Sequence, residues 1–207
     1  YDVRNDWTQS KNLANEHPDK LKELQSVFWG EAEKYQVLPL DGSAAARMIA
    51  ERPSVTAGRS EFTYTQPLVG IPQATAPSIV NKSFTITAEI DVPENGGEGM
   101  LMTAGGRFGG WGFYIVKGKP VFTHNIADIA RFRAESSKAL TPGKRTVVFD
   151  FKSDGGGMGK GGTATIKIDG VETANVKFPA TTPILFEIGD SFDVGSDTGT
   201  SVNDADY

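Results

Sequence analysis

The spacing of apolar residues changes once along this chain, and that change constrains the fold more than any other feature. From about Arg59 onward apolar side chains recur at every second position. Phe84, Ile86, Ala88, Ile90 and Val92 alternate with Thr85, Thr87, Glu89 and Asp91. Alternation of this kind puts the apolar set on one face of a pleated strand. Shorter runs follow the same rule. Residues 112–116 place Phe113 and Ile115 together, and 145–152 place Val147, Phe149 and Phe151 together. In 163–169 the inward set is Ala164, Ile166 and Ile168, and in 172–178 it is Ala174, Val176 and Phe178. Asp169-Gly170 separates the last two runs. It predicts a hairpin, because both central residues of that tight turn need positive φ. The stretches 93–99, 105–110 and 153–162 are rich in Gly and Pro and read as connections. There is no βαβ rhythm and no internal repeat. The pattern predicts a mainly β domain, an antiparallel β-sandwich of jelly-roll type.

The first zone, to about Arg52, reads differently. Pro18 suits the first turn of a helix, where its missing N–H costs nothing. Leu21, Leu24, Phe28, Ala32 and Tyr35 then recur at spacings of three and four, with Val27 and Trp29 beside them. That predicts a helix over 18–35 with one apolar stripe. A helix of this length needs a surface to cover, because short isolated helices are marginal in water. Residues 44–50 suggest a second short helical turn. The expected organisation is a strand, helix and linker over 1–54, then the sandwich over 55–207.

Composition removes whole classes of chemistry. The 207 residues include no cysteine and only two histidines, His17 and His124. Disulfides, thiol nucleophiles, iron–sulfur clusters and cysteine zinc sites are therefore excluded, and any serine triad would depend on one of those histidines. A net charge of −5 argues against a broad nucleic-acid-binding face. No apolar run approaches the ~20 residues of a membrane-spanning helix. Lack of cysteine suits any compartment. No signal peptide is visible and the chain opens on Tyr1, which leads us to expect a processed protein or a piece of a longer one.

Four constellations could carry function. Glu89, Asp91 and Glu94 are similar to the E-x-D-x-x-E signature of jelly-roll glycoside hydrolases that cleave β-glucans. Two carboxylates roughly 5–5.5 Å apart on one strand face can serve as nucleophile and acid/base. Against this, Pro93 cannot donate to a sheet ladder, and with Asn95-Gly96-Gly97 it marks the end of the strand. The plain alternative is a solvent-facing polar edge. The run 157–162 matches G-x-G-x-x-G, but a strand follows it where a dinucleotide site needs a helix N-terminus. Asp190, Asp193 and Asp197 are hard oxygen ligands close enough in sequence to hold calcium, or they are turn residues bonding their own backbone. Trp111 and Tyr114, with Phe108, either stack sugars as in a lectin or fill the core. His124 is a further weak candidate for substrate contact.

One resemblance covers the chain from end to end. Tyr1-Asp-Val-Arg-Asn-Asp6, Asn12-Leu-Ala14, Pro18-Asp-Lys-Leu21 and Glu23-Leu24 are similar to the C-terminal segment of sulfatases. Val37-Leu-Pro-Leu-Asp41 narrows the likeness to bacterial-type arylsulfatases. The later matches are Ala76-Pro77, 83–88, 105–110, 159–162, Asp193-Val194-Gly195 and Asp197-Thr198-Gly199-Thr200. The resemblance implies a concanavalin-like sandwich and a helix that packs on a catalytic domain. It also implies that the catalytic groups lie elsewhere. In that family a Cys or Ser is oxidised to formylglycine beside a calcium site in an upstream α/β domain, and no serine here, Ser54 included, begins the required motif. The expectation is a non-catalytic accessory domain with no cofactor of its own, whose partner is that catalytic domain. The family continues past the Asp-x-Tyr that Asp204–Tyr207 matches, adding a strand. A chain lacking that strand would be expected to self-associate through an exposed sheet edge.

Overall fold

The computed structural model describes residues 1–50, 54–186 and 189–207. The chain divides into two compact units, Tyr1–Glu51 and Arg52–Tyr207. The end of the helical zone, expected near Arg52, lies outside the described residues.

In the first unit, helix α1 spans Pro18–Lys34 and helix α2 spans Ala44–Ile49. Pro18 starts α1, Asp19 lies in its first turn and Lys34 in its last, so the charges suit the helix dipole. The helix ends because Gln36 turns left-handed at φ 58°. Gln36 N–H then bonds Glu33 O at 3.1 Å and Val37 N–H bonds Ala32 O at 2.8 Å, which satisfies two terminal carbonyls. Of the α1 residues only Ala32 is buried. Leu21, Leu24, Phe28 and Tyr35 of the apolar stripe are 40–65% exposed.

The second unit is a sandwich of two antiparallel sheets. Its strands are β1 (Leu68–Ile71), β2 (Phe84–Val92), β3 (Gly99–Gly106), β4 (Gly109–Val116) and β5 (Lys119–Ile126), then β6 (Ala130–Glu135), β7 (Gly143–Ser153), β8 (Lys160–Ile168), β9 (Val171–Ala180) and β10 (Phe192–Val194). The larger sheet runs β1-β10-β3-β4-β5-β6 and the smaller runs β2-β7-β8-β9. The Asp169-Gly170 hairpin is present, with φ of 50° and 80°. Every strand expected from alternation is present, and β2 has the expected bounds. Strands β1, β3, β5, β6 and β10 go beyond that expectation.

Residues 154–159 connect β7 to β8 as expected, but the Gly-rich stretch 105–110 is largely strand rather than connection. Glycine here permits close approach instead of a turn. Gly105 pairs with Gly110. A Cβ on Gly106 would stand 2.0 Å from Asp190 Oδ2 and 2.2 Å from Thr200 Oγ1.

The core lies between the sheets. Trp111 and Phe113 of β4 and Phe122 of β5 meet Val147 and Phe149 of β7 and Ile166 of β8. Phe122 stacks on Phe149 with centroids 3.7 Å apart and planes at 6°. Each fully buried aromatic of this kind contributes about 1.5–3 kcal/mol by leaving water.

Candidate functional site

The middle of the larger sheet is sealed on both faces. β4 is buried along nearly its whole length, and so is β5. One face is the core. The other is covered by residues 196–207, a strap with no regular secondary structure. Cross-strand register puts Asp193, Thr103, Gly112, Thr123 and Arg133 in one row beneath it.

The strap is held by a polar network. Tyr114 donates its hydroxyl proton to Asp206 Oδ2 at 2.6 Å, and therefore accepts from Thr123 Oγ1 at 2.7 Å. Arg133 Nε reaches the same carboxylate oxygen at 2.8 Å, and Asn203 Nδ2 reaches it at 2.9 Å. Burial pushes the Tyr114 hydroxyl well up, and the Asp206 bond and charge add to this. Burial alone would raise Asp206, but the Tyr114 and Arg133 bonds outweigh it and lower the carboxyl. Tyr207 packs edge-on to Tyr114 at 5.0 Å. Its hydroxyl donates to Asp197 at 2.9 Å and accepts from Val202 N–H at 3.1 Å.

The three aspartates weighed as calcium ligands serve this clasp. Asp193, 1% exposed, accepts from Gly70 N–H, Ser191 Oγ, and both N–H and Oγ1 of Thr198 at 2.6–2.9 Å. Burial would raise its carboxyl, but those bonds hold it below the ordinary value. Asp190 accepts from Thr200 N–H and Oγ1, and Asp197 accepts from Gly199 N–H as well as Tyr207. Burial raises Asp197, with Asp193 and Asp190 adding repulsion. Among the described residues no group of three His, Cys, Asp or Glu is arranged to hold a metal ion.

Trp111 and Tyr114 are 2% and 1% exposed, so neither offers a ring face to a sugar. Trp111 stacks on Phe122 in the core, and Tyr114 lies under the strap. Phe108, at the β3–β4 tip, is exposed. His124 is buried, and its Nε2 accepts the Thr182 backbone N–H at 3.0 Å. The ring nitrogen that accepts carries no proton, so the neutral tautomer has its proton on Nδ1. Burial lowers its pKa to about 4. Glu89 and Asp91 lie exposed on β2, the edge of the smaller sheet, and Glu94 follows the strand's end at Val92. The structure therefore separates the candidate side chains: carboxylates on one sheet's outer edge, Trp111, Tyr114 and His124 inside, Phe108 exposed at a strand tip, aspartates in the clasp.

A groove of about 550 Å³ opens beside the core, lined by Gln73, Ala76, Trp111, Ile184, Phe186 and Asp190 among others. Two of its polar side chains are engaged within the protein. Gln73 Nε2 donates to Asp190 O at 3.0 Å, and the Asp190 carboxylate is bound to Thr200.

Sequence reasoning missed Arg133, Asn203, Asp206 and Tyr207. A signal was present: Trp111-Gly-Phe-Tyr-Ile-Val116 is continuously non-polar rather than alternating, which marks a strand buried on both faces. No family model matches the chain, and no curated protein matches it.

Proposed function

We propose that the chain is a non-catalytic C-terminal accessory region of a bacterial-type arylsulfatase, with a concanavalin-like jelly-roll sandwich as its main body. The parent reaction is hydrolysis of sulfate esters. Formylglycine and calcium belong to the catalytic domain of that parent, and no residue of this chain is assigned to either.

One observation carries the reading. The residues that resemble the family's tail do specific structural work. Gly106 leaves room for Asp190 and Thr200, where any side chain would collide. Asp193 gathers β1, β10 and the start of the strap through Gly70, Ser191 and Thr198. Motifs spent on a clasp suit a domain whose task is shape. The chemistry points the same way: His124 uses its free electron pair on the Thr182 amide, and Trp111 and Tyr114 offer no sugar platform. The exposed stripe of α1, with Leu24 and Phe28, suits a helix that rests on another domain.

The test has two arms. The purified chain is expected to hydrolyse an aryl sulfate no faster than a buffer blank. It is expected to bind a separately produced arylsulfatase catalytic domain, and Leu24→Glu with Phe28→Glu should abolish binding while leaving the β-type circular dichroism unchanged. Turnover by the chain, or no binding to that domain, overturns the proposal.

A further inference from the structure

β2 is hydrogen-bonded to β7 along all nine residues, from Phe84↔Phe151 to Val92↔Gly143, and to no other strand among the described residues. Its far side is a sheet edge. Proteins blunt such edges with proline, lysine or a bulge. Phe84–Val92 contains no proline or lysine, and its register with β7 is unbroken.

The layer below is also incomplete at this side. Ile86, Ala88 and Ile90 point inward yet remain half-buried, whereas Val147 and Phe149 on β7 are fully buried. The larger sheet has two more strands than the smaller, and β6 lies against β8 and β9. The surplus strands β10 and β1 therefore extend past β2 as a ledge. Phe192 on that ledge is covered by Tyr64 at 5.5 Å, from a segment that joins neither sheet. Val194 is only half-buried.

We propose that the free edge of β2 accepts one extended polypeptide strand, apolar on its inner face and basic opposite Glu89 and Asp91. Backbone groups of β2 supply the ladder, and the half-buried part of the β10–β1 ledge, at Val194, receives the inward side chains. A single strand fits better than a second copy. A second sandwich placed edge to edge would drive its own larger sheet into the space held by β10 and β1. The outer face sets the composition. Thr85, Thr87, Glu89 and Asp91 are exposed, and among the described residues neither carboxylate is in an ion pair. Directly opposed unlike charges favour a pairing and like charges oppose it. This inference stands apart from the sulfatase reading and fails or survives separately.

The probe is a capped ten-residue peptide alternating valine with threonine and lysine, added to the full chain and followed by amide hydrogen exchange. Binding should slow exchange at alternate β2 amides, those aimed away from β7. A matching peptide with glutamate for lysine should bind roughly tenfold more weakly. In Glu89→Lys with Asp91→Lys, both surface changes, that preference should invert. Three results would overturn the proposal: no β2 protection at about 1 mM peptide, equal binding of both peptides, or β2 protection without peptide that grows with protein concentration and accompanies dimers. The last would assign the edge to a second copy.

Discussion

His124 illustrates how burial decides the role of a titratable residue. In an unfolded chain a histidine takes up a proton near pH 6.5. In the folded sandwich burial defers this to about 4. Between those values the unfolded state binds more protons, so stability falls as pH drops through the window and is complete above it. The slope is at most about 1.4 kcal/mol per pH unit. His124→Gln keeps an acceptor for the Thr182 amide but cannot titrate. Its urea-unfolding free energy should fall less steeply than the parent's between pH 6.5 and pH 4; an equal slope would refute the assignment. Asp193 acts at lower pH. Its carboxyl is lowered by its bonds, so its contribution is present above the ordinary carboxylate value and is lost as pH falls further.

Among the elements, β4, β5 and the strap form the unit that decides what the larger sheet can do. An uncovered polar sheet face would be a surface for ligands. Here Tyr114, Thr123 and Arg133 spend their bonding capacity on Asp206 and its neighbours. Removing one partner leaves a buried polar group unpaired, whereas removing both leaves less behind. Tyr114→Phe and Asp206→Asn should therefore be non-additive. A double-mutant cycle in urea is expected to give a coupling of about 1–2 kcal/mol, and simple additivity would show that the strap is held by packing alone.

For the molecule as a whole, the core belongs to the second unit. Among the described residues its buried cluster runs from Ala76 to Phe192. A unit with its own core can fold by itself. Residues 54–207 produced alone should keep the β-type circular dichroism spectrum and melt cooperatively, within a few degrees of the same transition in the full chain. A non-cooperative melt would mean that the first unit completes the sandwich.

The alternation of Phe84–Val92 and the Asp169-Gly170 turn determined sandwich strands directly, because strand period and turn geometry are local properties. Pro18 and the three–four spacing after it did the same for α1. Other features were beyond local reading. The glycines of 105–110 and 159–162 look the same in a loop and in a ladder, and only the atoms that approach them, such as Asp190 at Gly106, tell which it is. Trp111, Tyr114 and His124 look equally suited to a ligand or to a core. Tertiary structure decided for the core by laying residues 196–207 over one face of β4 and β5 and packing the smaller sheet on the other. Local pattern gives the face on which a side chain stands. What covers that face is fixed by contacts between residues about 90 positions apart, such as Tyr114 and Asp206, and a pattern of period two cannot encode them.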